Sequence, residues 1–292
     1  MKTKFVTCIY SNLFGTKFGG RQSRSTHYRY SLLSLMKMKN AKYICYTSEG
    51  EFQDLSNFFY QDHGVNKENL ELRIFDLSTT HHENLFQEYK NYADAFSSDR
   101  CLEIQYAKFE LLKKNLDDDH DYFFWVDAGL SHCGLIPNKY LTPNLGCRSY
   151  YESQLFNDNF LQNLINFTHD KIFIIGKENQ RNFWSQTVDR KHFENYSSDY
   201  HVIGGIFGGN KASCEKITDL FEIYADKVTR SDGVVYPEEN IMTVIWRNNE
   251  DYFSIKFFDT WWHEDERISG LDMVEHLKIN KSFYKILEEL NE

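Results

Sequence analysis

The sequence predicts an α/β layered fold with a mostly parallel central sheet. Short apolar segments typical of strands alternate with amphipathic helical segments over residues 4–127, and this alternation is typical of parallel βα units. Hydrophobic residues make up 41% of the 292 residues and aromatic residues 16%, which is enough for a sizeable core. We see no internal repeat and no linker in the sequence, so we expect one compact domain.

The first half of the chain supplies four predicted strands and four predicted helices. The strands cover residues 4–11, 41–48, 70–77 and 122–127. The helices cover residues 26–38, 51–61, 81–97 and 101–115. Apolar residues recur at helical spacing in the first and last of these helices, and Ser25 or Thr26 is a suitable N-cap for the first.

The second half begins less regularly, since residues 135–170 carry two of the three prolines. Beyond them the sequence predicts strands over 171–176, 201–211 and 252–259, the second of which is glycine-rich and reads as a strand or a hairpin. Helices are predicted over 214–230, 237–249 and the last 25 residues. Pro237 followed by two acids is favourable at a helix N-terminus.

Composition excludes several classes of protein. The formal net charge of -10 disfavours a generic polyanion-binding surface. The six cysteines form no CxxC pair, which disfavours a zinc knuckle. The apolar run at the N-terminus is too short for a signal peptide, and no stretch approaches the ~18 apolar residues of a membrane span. We therefore expect a cytoplasmic protein with reduced thiols.

One carboxylate stands at the end of the most apolar predicted strand. The segment "YFFWVDAGLSHCG" runs from Tyr122 to Gly134, and its continuous apolar run ends on Asp127. Such a run is typical of a strand buried on both faces, and ligands of open α/β sheets bind at the carboxyl ends of strands. Asp127 is therefore a candidate functional acid. The alternative interpretation is that it caps the following turn, because Asp-Ala-Gly suits a turn.

Two later segments carry further candidates. Two glycine pairs, Gly204–Gly205 and Gly208–Gly209, bracket Ile206 and Phe207. Glycine weakens a strand, so the pairs indicate close approach of a ligand or of another chain, or else a bulged hairpin. Glu238 and Glu239 follow Pro237 and suit a general base, or they simply complement the helix dipole.

Candidates for a metal and for phosphate binding complete the set. His263 lies among acids in "FDTWWHEDE", and histidine with carboxylates suits Mn²⁺, although a solvated acidic loop has the same composition. Arg21 and Arg24 lie in the basic loop after the first strand and Lys108 on the fourth helix. Cations near a strand exit suit a diphosphate, but they also suit a solvated surface.

The order of these segments resembles the GT-A class of sugar-nucleotide glycosyltransferases. More narrowly, "FFWVDAGLSHCG" is similar to the segment of the HtrL/YibB-type (WlaTC-like) bacterial family that stands where other GT-A enzymes carry Asp-x-Asp. "GGIFGGNK" and "EENIMTVIW" match the order of its later segments. The resemblance implies a GT-A-like, Rossmann-type layered domain over residues 4–265, with a C-terminal helical extension over 266–292 packed on it.

The resemblance also implies roles for individual residues. Tyr10 would stack on or flank the donor base, and Lys108 would face the donor diphosphate, as would cations of the basic loop. Asp127 would bind a metal or the donor ribose. The segment from Gly204 to Gly209 would face the donor sugar and acceptor. Glu238 or Glu239 would be the acid near the anomeric carbon, and His263 would complete a metal site.

The sequence departs from the usual motif in one respect. It reads Asp127-Ala128-Gly129, so the second carboxylate is missing. Mg²⁺ or Mn²⁺ would then bind through Asp127, His263, the diphosphate and water, or the enzyme would neutralise the diphosphate with Lys108 and arginines alone. We adopt the interpretation with a divalent metal ion.

The predicted reaction is transfer of a sugar from a nucleoside-diphosphate sugar to a hydroxyl. The acceptor predicted from the resemblance is a cell-surface saccharide intermediate. One alternative acceptor is hydroxymethylated cytosine in duplex DNA, as for phage transferases, with the basic loop "KFGGRQSRSTHYRYS" on phosphates. A second alternative is a nucleotide-sugar-binding protein without catalytic activity, which the missing carboxylate favours.

Overall fold

A computed structural model describes residues 1–10, 22–89, 101–129, 156–177 and 202–258. The described strands form one seven-stranded sheet in the order β3-β2-β1-β4-β6-β5-β7. The strands are β1 Thr3–Ile9, β2 Ala41–Thr47, β3 Leu70–Ile74, β4 Tyr122–Val126, β5 Ile172–Lys177, β6 Val202–Asn210 and β7 Phe253–Phe258.

The sheet is parallel except at β6. Strands β1 to β4 pair in parallel, as do β5 and β7, while β6 pairs antiparallel with both β4 and β5. The predicted α/β fold with a mostly parallel sheet is therefore confirmed. Because β2 lies on one side of β1 and β4 on the other, the strand order reverses at β1 and β4. Ligands of open α/β folds bind outside the carboxyl ends of strands at such a point.

The helices cover both faces of this sheet. They are α1 Gln22–Leu35, α2 Glu49–Ser56, α3 Glu83–Glu88, α4 Cys101–Lys113, α5 Asp158–Thr168, α6 Lys211–Asp232 and α7 Glu238–Asn248. A short π-helix, Asn57–Asp62, follows α2. Residues of α1, α2 and α5 pack in the core on one face, and residues of α4, α6 and α7 pack in the core on the other.

Buried side chains on both faces explain the apolar run of β4. Phe124 and Val126 belong to the first core, and Phe123 and Trp125 belong to the second. Successive side chains of a strand point to opposite faces, so a central strand needs apolar residues at every position. The strand predicted from this run is confirmed.

Glycine is required at one point where β4 and β6 approach closely. Gly208 pairs with Phe124 across the sheet. A Cβ at this position would lie 2.2 Å from the Phe123 carbonyl oxygen, and the φ angle is +153°. The glycines of this segment thus reflect packing within a single nine-residue strand and not a hairpin.

Three predictions about the elements need correction. Helix α1 begins at Gln22, so Ser25 and Thr26 lie inside it and the predicted N-cap is wrong. Helix α5 was not predicted, although Asn157 caps it and its apolar residues recur on one face. The predicted helix over 81–97 is reduced to Glu83–Glu88 in its described part, because the backbone becomes extended at Tyr89.

Several expectations concern residues outside the described ranges. These are the basic loop over 11–21, the C-terminal helix and the domain boundary at 265. Within the described ranges, no helix combines the length and apolar character needed to cross a membrane.

His82, which precedes α3, is a buried histidine with aromatic neighbours. Its ring packs edge-on against Tyr106 and Phe221. Burial and the neighbouring His81 lower the pKa of His82 to about 4, against the opposing effect of nearby carboxylates. The folded protein therefore holds His82 neutral under conditions where the unfolded chain would protonate it.

Acidification is expected to destabilise the fold through His82. Because its pKa falls from 6.5 to about 4 on folding, the unfolded state binds more protons between these values. The free energy of unfolding then decreases as pH falls through this window, by about 2–3 kcal/mol at pH ~4.5. We expect urea denaturation at pH ~7.5 and ~4.5 to show that the free energy of unfolding decreases less in His82→Phe than in the wild type. Equal losses in both proteins would contradict this assignment.

Candidate functional site

Asp127 lies directly after β4, at the carboxyl edge where the strand order reverses. Its backbone N–H donates to the Gly205 carbonyl oxygen at 2.8 Å, which extends the pairing of β4 with β6 by one residue. Its side chain is 33% exposed. The strand thus holds the backbone of Asp127 rigidly and leaves part of its carboxylate open.

One oxygen of this carboxylate is fixed by a residue that the sequence analysis did not single out. The indole Nε1 of Trp125 donates to Asp127 Oδ1 at 2.8 Å. Residues two apart in a strand lie on the same face, so the alternation of β4 was a signal that would have identified Trp125. The ring itself is buried in the core between the sheet and α4, α6 and α7.

Lys108 brings a buried positive charge to the same face. It lies on α4, and its ammonium is 3.1 Å from Asp127 Oδ1 and 3.4 Å from Oδ2. It also donates to Glu238 Oε1 at 2.7 Å and to the Gly204 carbonyl oxygen at 3.3 Å. Burial lowers the pKa of Lys108, but the carboxylates of Asp127 and Glu238 outweigh burial and raise the pKa well above its ordinary value. Lys108 is therefore charged, and the alternative that it lies on the solvated side of its helix is wrong.

Glu238 and Glu239 begin α7 and both contact β6. Glu238 is buried against Lys108, and burial raises its pKa while the ammonium opposes that rise. Glu239 is half-buried, and its Oε1 accepts from the Gly204 backbone N–H at 2.9 Å. Helix α7 is thus tied to the strand beside Asp127 by two consecutive carboxylates.

Gly204 provides the space that Glu238 occupies. A Cβ on Gly204 would lie 2.7 Å from Glu238 Oε1. Gly208 and Gly209 lie further back in β6, opposite Phe124 and Phe123. A Cβ on Gly209 would lie 2.6 Å from the Lys171 carbonyl oxygen. Of the four predicted glycines, only Gly204 and Gly205 lie at the carboxyl edge with Asp127, and packing within the protein explains the other two.

The charges of this cluster limit what it can bind. We call Lys108, Asp127 and Glu238 the Lys108 triad. An ammonium has three N–H donors, and the three protein acceptors of Lys108 use all of them. With two carboxylates and one ammonium the triad carries a formal charge of -1, and its most exposed member is the Asp127 carboxylate. This carboxylate suits a ligand hydroxyl or a cation, whereas the geometry does not favour the predicted contact of Lys108 with a diphosphate.

Tyr10, at the end of β1, lies near the predicted position but is buried. It is 2% exposed, and its hydroxyl donates to the Phe75 carbonyl oxygen at 2.9 Å. Burial raises its pKa above the ordinary value. Stacking on a donor base would require this ring to be uncovered, so its predicted role receives no support from its position.

The structure describes no side-chain position for the remaining predicted residues. Arg21 and His263 lie outside the described residues, as does the side chain of Arg24. The described residues contain no group of three His, Cys, Asp or Glu side chains able to hold a metal. By themselves the described residues therefore do not form a divalent-metal site.

Comparison with solved structures finds chains of similar fold. Mouse xyloside xylosyltransferase 1, in its apo form, is similar with a TM-score of 0.50 and 11% sequence identity, over 95% of this chain and 93% of that chain. The fold is GT-A-like. The 4-diphosphocytidyl-2C-methyl-D-erythritol synthase of Anaerococcus prevotii gives a TM-score of 0.41 and 12% identity, over 97% and 96% of the two chains. Neither protein-family models nor curated proteins give a match.

Removal of the Lys108 charge is expected to destabilise the GT-A-like domain. Lys108→Met leaves the buried Glu238 carboxylate without its partner, which costs about 3–5 kcal/mol. Lys113→Met is the matched control on α4, because Lys113 is 46% exposed and pairs with Asp219 and Glu222; exposed pairs contribute about 0–1 kcal/mol. Urea denaturation of both variants checks this expectation. Similar decreases in the free energy of unfolding would contradict the assignment of Lys108 to a buried triad.

Proposed function

We propose that the protein is a glycosyltransferase that moves a sugar from a nucleoside-diphosphate sugar to a hydroxyl acceptor. The observation that supports this most is the partly exposed Asp127 carboxylate. It lies at the carboxyl edge of β4, where the strand order reverses in a GT-A-like fold. A ligand in the crevice outside β1 and β4 would meet this carboxylate first. That the similar mouse protein is named a xylosyltransferase supports this class of activity.

The proposal extends to family and acceptor. The motif around Asp127 supports membership of the HtrL/YibB-type family and, with it, a cell-surface saccharide intermediate as acceptor. The alternative of modified duplex DNA depends on the basic loop and stays a prediction, since the side chains of residues 17–27 lie outside the described ranges. A steep salt dependence of binding to duplex DNA would favour that alternative.

The proposed reaction forms a bond between the acceptor oxygen and the anomeric carbon and breaks the bond from that carbon to the diphosphate. The Asp127 carboxylate would accept from a donor hydroxyl or hold a cation that faces the diphosphate. The acceptor proton needs a base, and Glu239 is the more exposed of the two candidate acids. Negative charge develops on the leaving diphosphate, and because the Lys108 triad is itself negative, cations from outside the triad must stabilise it. Arg21 of the basic loop and Arg24, which lies on α1 and not in the loop as predicted, or a divalent ion, would supply them.

A second candidate function is binding of a nucleotide sugar without turnover. The observation that favours it is that Ala128 and Gly129 follow Asp127, so no second carboxylate stands in this motif. A site with few ligands for a cation stabilises a leaving diphosphate poorly.

Asp127→Asn is expected to separate these functions. The change keeps the shape of the side chain but removes its charge, so turnover of the donor should fall about 100-fold or more. Melting temperature should shift by no more than ~4 °C, which corresponds to about 1 kcal/mol. A thermal-shift panel of nucleotide sugars identifies the donor, and hydrolysis or transfer of that donor then gives the turnover.

The exposed Asp219→Asn on α6 serves as the control. Stabilisation of the wild type by a donor that it never turns over would favour the binding protein. A large loss of stability in Asp127→Asn, with activity per folded molecule intact, would make Asp127 a structural residue.

We further propose that Mn²⁺ or Mg²⁺ binds through Asp127 and His263 and faces the diphosphate. Treatment with EDTA should then abolish turnover, and Mn²⁺ should restore it. The His263→Ala variant should raise the Mn²⁺ concentration needed for half-maximal activity. Full turnover in EDTA would overturn the metal and leave the arginines as the only cations, without affecting the assignment of sugar transfer.

A further inference from the structure

We propose that Glu238 is a positioning residue that acts through Lys108 to orient Asp127, and is not a general base. This inference rests on the proposed function, since it concerns the same site. It assigns different tasks to the two acids that begin α7, a distinction that the sequence did not make.

The surroundings of Glu238 exclude direct contact with an acceptor. Its side chain is 4% exposed, and Oε1 is 2.7 Å from the Lys108 ammonium. The position of a Cβ on Gly204 lies 2.7 Å from the same oxygen, so β6 closes the carboxylate on that side. A general base must come within hydrogen-bond reach of the hydroxyl that it deprotonates, and this carboxylate has no open side for one.

The geometry points instead to an effect through the ammonium. Glu238 Oε1 and the Gly204 carbonyl oxygen accept two of the three N–H groups of Lys108. The third N–H is thereby directed to the Asp127 carboxylate, where Oδ2 accepts it at 3.4 Å and Oδ1 lies 3.1 Å from the ammonium. Trp125 Nε1 donates to Oδ1, so Lys108 and Trp125 together fix the orientation in which the partly exposed carboxylate faces the crevice.

Glu239, the residue after Glu238, supports this arrangement. Glu239 Oε1 accepts from the Gly204 N–H at 2.9 Å, which holds α7 and β6 together at the residue that makes room for Glu238. A side chain at position 204 would therefore displace Glu238 from Lys108 without removing any polar group. The glycine thus has a definite role in the site although no ligand needs to touch it.

The test compares three variants with the wild type. Glu238→Gln keeps the size and the acceptor oxygen, so kcat should stay within ~5-fold of the wild type and the pH profile should keep its shape. Glu238→Leu and Gly204→Ala both release the ammonium, and each should lower kcat by about 10- to 100-fold, as small misplacements of reacting groups do. The KM of the donor should change much less. Gly50→Ala is the control, because nothing lies within 4 Å of a Cβ there, and its kcat should be unchanged.

The alternatives predict different results. If Glu238 were a general base, kcat would fall at least ~100-fold in both Glu238→Gln and Glu238→Leu, and the acid limb of the pH profile would be lost. A purely structural residue would lower the melting temperature in Glu238→Leu and leave kcat per folded molecule intact. Either result overturns the proposal.

A spectroscopic readout separates this inference from the proposed function. The indole N–H resonance of Trp125, assigned with Trp125→Phe, reports the hydrogen bond to Asp127. It should move in Glu238→Leu and Gly204→Ala and stay in place in Glu238→Gln. Absence of donor turnover in the wild type would overturn the glycosyltransferase and leave this result standing, whereas an unmoved resonance in Glu238→Leu would overturn the positioning role.

Discussion

The buried ammonium of Lys108 is the interaction on which the arrangement of the site depends. A charge removed from water is tolerated only where partners satisfy it, and Lys108 finds its three acceptors on three separate segments. Glu238 is 130 residues away in the chain, Gly204 is 96 away, and Asp127 is 19 away. Lys108 therefore links helix α4 to the end of β4, to strand β6 and to the start of α7. The same contacts that close this side of the fold also set the direction of the Asp127 carboxylate.

This arrangement defines what a ligand meets at the edge of the sheet. The Lys108 triad is negative overall, its cation is fully engaged, and the Asp127 carboxylate is partly exposed. Such a centre attracts a hydroxyl or a cation and repels a bare phosphate. In a nucleotide sugar the hydroxyls of ribose and sugar suit this carboxylate, while the diphosphate needs positive charge from elsewhere. The charges therefore predict that the triad binds hydroxyls or a cation, and that cations outside the triad neutralise the diphosphate.

Local patterns predicted the parts of the fold that depend on neighbours in sequence. The run before Asp127 identified a strand buried on both faces, and the spacing of α4 identified its helix. The partners of Lys108 could not be predicted, because contacts over 96 and 130 residues leave no spacing to detect. For the same reason Glu238 and Glu239 looked equivalent, although one is buried on an ammonium and the other holds a backbone N–H. Helix α5 did carry a local signal, the Asn157 cap with an apolar face, and the neighbouring prolines obscured it.

The account makes Asp127 the residue that meets the ligand and Lys108 the residue that holds Asp127 in place. The most direct measurement is a crystal structure with the nucleoside diphosphate that stabilises the protein most. We expect the nucleotide at the carboxyl ends of β1 and β4, touching the Asp127 carboxylate directly or through one metal ion, with Lys108 still bound to Glu238. A nucleotide bound elsewhere, or phosphates that take the Lys108 ammonium away from Glu238, would contradict it.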